Sequence, residues 1–187
     1  MKLVWCLIGY ALISAALYVA LREKCKKDAV FRPPNAAWLH YTLAFTWGLP
    51  MTFVGCIAAL ILRIKGFKPV RYGRAWCIAI PGIDWGLSLG IFFIVPEGHH
   101  ESLKAHEFGH TIQNVCLGVF MPAVVGIPSL IRFWYRDAKE RRGHPCESSY
   151  DDIWFEGSAT KSGTWFINVL KVAEAVRSLG FKAIIRQ

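Results

Sequence analysis

His106-Glu107-Phe108-Gly109-His110 places two imidazoles four residues apart with a carboxylate between them. On a helix, residues four apart share a face, so both rings can reach one metal ion. Glu107 sits about 100° round the helix from His106, beside the coordination position the ligands leave open. There it can take a proton from an attacking water without itself being a ligand. Catalytic zinc usually keeps three protein ligands, so a third is sought downstream. Glu156 is the first candidate, within Tyr150-Asp-Asp-Ile-Trp-Phe-Glu-Gly-Ser-Ala159. The preceding Ser149-Tyr-Asp-Asp152 has the form of a capping box and is expected to open a helix. Asp152, His144 and the His99-His100 pair are the other candidates. The bland alternative is a surface helix whose histidines are polar and whose Glu107 favours the helix dipole. Gln113 is within reach of a hydrogen bond near the site, but a solvated helix residue is the expected reading.

The elements that must carry these residues follow from the hydrophobic pattern. Leu3 to Leu21 is uncharged and close to the ~20 residues a helix needs to cross the hydrocarbon. A signal peptide is the rival reading, but the stretch is long for an h-region and Lys2 makes a thin n-region. Asn35 to Leu62 is a second uncharged run, expected as a tilted span kinked at Pro50. These two runs predict an N-terminal transmembrane helical hairpin over 1–63. Residues 64–187 then form a small α+β metal-binding domain, in a chain that is mostly α overall. Its 75–95 segment predicts a β-hairpin with Pro81-Gly-Ile-Asp84 as the turn, in preference to a third span. Glu101 to Asn114 predicts an amphipathic helix. Cys116 to Ile131 is apolar but short and broken by Pro122 and Pro128, which favours a re-entrant or membrane-surface segment. Arg132 to Arg142 reads as a basic loop, Gly126-Ile-Pro-Ser129 as a backbone turn with a substrate-lining loop as the alternative, and Thr164 to Leu179 as a final amphipathic helix.

Composition agrees with a membrane location. The 187 residues are 54% hydrophobic and only 19% charged, against about 25% charged in typical soluble domains. That excludes disorder, since this much apolar material must be buried. The net charge of +9 comes from basic residues flanking the apolar runs, a placement that suits anionic head groups. No aromatic-interleaved basic stripe of a nucleic-acid reader is visible, so nucleic acid is not an expected partner. Trp38, Trp134 and Tyr135 read as interface aromatics. The six cysteines never form C-x-x-C, which argues against a disulfide framework or zinc knuckle.

Three blocks together carry a resemblance: His106-Glu-x-Gly-His110-Thr-x-Gln113, then Val124-Val-Gly-Ile-Pro-Ser-Leu130, then Trp154-x-Glu-x-x-Ala159. They resemble a family of small bacterial membrane proteins similar to gluzincin-type zinc metallopeptidases, over roughly Gly86 to Gly163. The resemblance implies a zincin-like domain, a Zn2+ cofactor, His106, His110 and Glu156 as ligands, and Glu107 as general base. Gluzincins often place an acid or amide four residues after the third ligand to orient a histidine; here that residue is Thr160, whose hydroxyl can accept a histidine N–H. The Leu-Asp-Gly motif of the site-2 proteases is absent.

The expected function is a membrane-embedded zinc metallopeptidase, a hydrolase cleaving peptide bonds of a peptide or membrane-protein substrate near the bilayer. The alternative is a metal-binding but non-proteolytic membrane protein, either another hydrolase or a structural module. Only the family analogy selects a peptide bond. The resemblance places the chain in the bacterial inner membrane. If 3–21 and 36–62 both span, termini and site share one side, and the balance of Lys and Arg favours the cytoplasm.

Overall fold

The computed structural model describes residues 37–185. Contacts group His40–Gln187 into one unit, apart from Met1–Leu39. The expected span Leu3–Leu21 lies outside the described residues. Helices dominate: α1 (Ala37–Phe45), α2 (Leu49–Ile64), α3 (Glu101–Leu117), α4 (Ile127–Arg141) and α5 (Trp154–Ile185). Four strands, β1 (Val70–Tyr72), β2 (Ala75–Ile80), β3 (Leu87–Leu89) and β4 (Phe92–Pro96), precede α3.

The second uncharged run is two helices, not one. The chain turns by 94° between α1 and α2, at Thr46–Gly48. The expected kink at Pro50 is absent because Pro50 sits in the first turn of α2, where a missing N–H costs nothing. The corner is pinned from α3 instead. Asn114 Nδ2 donates to the Gly48 carbonyl at 3.4 Å and to Thr52 Oγ1 at 3.3 Å, and Trp47 Nε1 donates to the Cys116 carbonyl at 3.4 Å. No single helix among the described residues is long and apolar enough to cross a membrane, although α1 with α2 and α3 with α4 have the composition as bent pairs.

The sheet is mixed, in the order β1-β2-β4-β3. β2 and β4 run parallel with Cys77 opposite Phe93 and Ile78 opposite Ile94; β1 and β3 are antiparallel edges. This corrects the expected hairpin of 75–95. Residues 81–86 do not fold β2 back on itself but carry the chain to the far edge, where β3 forms. The reversal comes at Gly90, whose φ of +67° suits glycine, and gives a β3–β4 hairpin directly before α3. β2 (Ala-Trp-Cys-Ile-Ala-Ile) and β4 (Phe-Phe-Ile-Val-Pro) are apolar on both faces, so they take the centre.

With a period of two, the strands send alternate residues to opposite sides. Ala75, Cys77, Phe93 and Val95 pack on Phe108 of α3 and Ile167 of α5. Ile78 and Ile94 pack on Ala59 of α2. The sheet therefore lies between α2 and the α3–α5 pair. A third cluster, Met121, Val125 and Phe155, joins the segment after α3 to the start of α5.

α3 and α5 meet backbone to backbone. A Cβ on Gly109 would collide with the Ala159 carbonyl, and a Cβ on Gly163 with the Ala105 carbonyl. After α3 the chain passes a 3-10 turn (Gly118–Phe120) and a π turn (Pro122–Gly126) into α4, a change of direction of 116°. The stretch 132–142 is mostly helix α4 rather than the expected loop. Its Arg, Lys, Glu and Ala are good helix formers, and Arg141 pairs with Asp137 at i, i+4. Ser149 Oγ accepts the Asp151 N–H at 3.4 Å, but opens a 3-10 turn (Tyr150–Asp152) before α5.

Gly109→Ala is expected to push α3 off α5 and to cost about 1–3 kcal/mol of stability, the range for overpacking a tight interior. The measure is the thermal midpoint, beside Gly126→Ala as the control, since Gly126 has a helical φ of −57° and a Cβ there comes only to 3.7 Å from the Met121 carbonyl oxygen.

Candidate metal centre

Successive turns of α3 present His106 and His110 on one face, with ring centroids 4.8 Å apart. Glu156 enters from the first turn of α5, fully buried. Its Oε2 lies 3.3 Å from His106 Nε2 and 3.1 Å from His110 Nε2. His106, His110 and Glu156 are the group of potential metal ligands found among the described residues, with donor atoms all within 4.8 Å of one another. The contact of α3 with α5 brings the ligands together: small residues at 105, 109, 159 and 163 let the helices approach until side chains 46 to 50 residues apart converge.

The remaining polar atoms of the three side chains are held from behind. His110 Nδ1 faces Gln113 Oε1 at 2.7 Å. Gln113 Nε2 donates to the Phe155 carbonyl at 2.6 Å and to Ser158 Oγ at 2.7 Å, which orients the amide with its oxygen toward His110. The Nδ1 proton is thus fixed, leaving the Nε2 lone pair for the centre. His106 Nδ1 lies 2.7 Å from Thr160 Oγ1, the hydroxyl anticipated in that position. Ser129 Oγ donates to Glu156 Oε1 at 2.5 Å, leaving Oε2 as the oxygen that faces the histidines.

This donor set fits a cation. Two imidazole nitrogens and a carboxylate oxygen point at one locus, and all three can offer lone pairs. His110 Nε2 and Glu156 Oε2 lie 3.1 Å apart, within hydrogen-bond distance of one another. Burial alone would lower the His110 pKa, but the Glu156 hydrogen bond and the Glu107 and Glu156 charges outweigh it and raise it above 6.5. Burial would raise Glu156, but hydrogen bonds from His106, His110 and Ser129 hold it well below the carboxylate range.

Glu107 lies beside the three. It is 5% exposed, and Ser88 Oγ of β3 sits 2.7 Å from both its Oε2 and its carbonyl oxygen. A Cβ on Gly86 would fall 2.7 Å from Glu107 Cδ, so glycine is needed where the chain crosses this carboxylate. Burial raises the Glu107 carboxyl above its usual range, more than His110, His106 and Ser88 lower it. The cleft, about 1090 Å³, is lined by all four residues together with Tyr150 and an apolar wall that includes Met121, Val125 and Leu130.

The other third-ligand candidates stay out. Asp152 and His144 are exposed. His99 reaches only the cleft lining, and His100 is the N-cap residue of α3. Gln113, expected to be solvated, is buried, because α5 covers that side of α3. Ser88 was not legible as a site residue, since a lone serine carries no spacing signal. Ser129 is legible only as part of a candidate substrate-lining loop, and its bond to Glu156 has no signature in the sequence. Asp151, 3.8 Å from His106 Nδ1, was likewise missed beside Asp152.

Gln113→Leu frees the His110 ring and is expected to weaken metal binding by about 10–100-fold while the fold survives, read by competition titration with a chelating dye. A metal ion also competes with a proton for His110. Affinity is therefore expected to fall as pH drops through the raised His110 pKa, with the loss already under way above 6.5. Calorimetry across pH should show proton release on binding; pH-independent affinity would contradict it. No family model, curated protein or solved structure matches the chain, so its function is read from this geometry and the sequence pattern alone.

Proposed function

We propose that the chain is a membrane-embedded, zinc-dependent metallopeptidase. The observation that carries the reading is the convergence of His106 Nε2, His110 Nε2 and Glu156 Oε2, with Glu107 in the same cleft. Two nitrogens and one oxygen suit Zn2+, and three protein ligands leave a position open. Zinc bound there would polarise a substrate carbonyl and make water acidic enough to attack near neutral pH. Glu107 accepts the proton of that water and returns it to the leaving group. Its raised proton affinity suits a base that must also act as an acid. Ser88 holds Oε2, and Gly86, lacking a side chain, leaves room for the carboxylate against the backbone.

Support for a peptide comes from β3. It is an edge strand of the sheet, and Leu87 and Ser88 line the cleft beside Glu107. An extended chain can add to such an edge through main-chain hydrogen bonds, bringing its carbonyls past Glu107. The apolar wall of Met121, Val125 and Leu130 favours a second reading, hydrolysis of a lipid-borne ester or amide by the same residues. The membrane location rests on Leu3–Leu21 and on composition, and we place the site at the cytoplasmic face of the cell membrane.

Metal analysis of detergent-purified protein is expected to find about one zinc per chain, lost or much weakened in His106→Ala and Glu156→Ala. Glu107→Gln should retain the zinc and lose hydrolysis of a quenched fluorescent peptide library by 100-fold or more, on the order of general-base effects. A parent that stays metal-free after repletion would sink the enzyme reading. A zinc-loaded parent that cleaves lipid esters and no peptide would favour the second.

A further inference from the structure

Helix α4 has two sides with different neighbours. At about 100° per residue, Ser129, Phe133, Arg136 and Glu140 share one side, and all four line the cleft. Ile131 and Trp134 share the other, with Tyr135 at its margin; Ile127 and Leu130, also exposed, line the cleft as well. These five are 45–59% exposed, and no residue of α4 is buried. A helix held by so little packing needs something on its apolar side.

The flanking charge says what. Residues 127–142 carry Arg132, Arg136, Lys139, Arg141 and Arg142 against Asp137 and Glu140. Lys139 Nζ lies 5.7 Å from the Tyr135 ring centroid, next to the apolar face, and Arg142 is exposed just beyond the helix. A second copy would bring like charge to like charge, whereas an anionic head-group layer complements it. An apolar face bearing Trp and Tyr with cations along its rim is the composition of a helix lying in a bilayer interface. The geometry points to α4 as an interfacial helix, its Ile131–Trp134–Tyr135 face seated in an anionic lipid bilayer while its opposite side walls the cleft. This does not depend on the hydrolase reading.

The test uses the full chain reconstituted into vesicles of phosphatidylcholine with phosphatidylglycerol, the acyl chains brominated or plain. The emission that Trp134 adds, parent minus Trp134→Phe, is expected to fall at least about twofold in brominated vesicles, because such a face sinks ~5–10 Å into the head-group and acyl boundary. Ile131→Trp places a reporter on the same face and should be quenched likewise, so the result does not hang on one variant. Lys139→Glu with Arg142→Glu should reverse much of the quenching. If neither reporter is quenched, the proposal is overturned, and the face is covered by the chain's own N-terminal residues or by a second copy. Equal quenching in vesicles of phosphatidylcholine alone would overturn the anionic requirement.

Discussion

The whole cluster of His106, His110 and Glu156 depends on how closely α3 approaches α5. Side chains larger than hydrogen at 109 and 163 would hold the helices apart, and Glu156 would no longer reach both histidine nitrogens. Close-packed interiors absorb such changes badly, so the spacing behaves as a fixed dimension rather than an adjustable one. The sheet reinforces it from the side. Phe93 and Val95 of β4, Phe108 of α3 and Ile167 of α5 share one core, which locks the angle at which the two helices present their ligands.

Each polar group in the centre is restrained by a group that would otherwise need a partner of its own. Gln113 satisfies His110 with its oxygen and the start of α5 with its nitrogen, joining the two helices through one side chain. Ser129 reaches Glu156 from the first turn of α4, so the segment that follows α3 is tied into the site as well as walling its cleft. Ser88 does the same for Glu107 from the sheet edge. Buried polar networks stabilise a unique arrangement only when their members are satisfied, and here the restraints come from four separate elements. Glu156 and Glu107 illustrate the consequence: both are buried carboxylates, yet the first is held ionised by three donors while the second keeps a raised affinity for its proton.

The sequence alone determined the parts whose signal is local. His-Glu-x-x-His on a helical stretch fixes two rings on one face whatever surrounds them, and Glu156 is legible as the acid on the segment that Ser149 caps. The central strands β2 and β4 were legible from their apolar runs, whereas β1 in its basic stretch and the split of 86–95 into β3 and β4 were not. Thr160 was legible from its place four residues after Glu156. What required tertiary structure was everything set by partners far along the chain. Parallel pairing of β2 with β4 cannot be read from residues 75–95, because the same runs would suit a hairpin. The corner at Thr46–Gly48 is decided by Asn114 and Trp47, not by Pro50. The 132–142 stretch was read as a loop because its charges hide a helical period that only its two faces, cleft and exterior, make sense of. Gln113 and Ser129 became site residues only once α5 and α4 closed over α3, since a serine or glutamine has no chemistry of its own until a second element brings it a histidine or a carboxylate to hold.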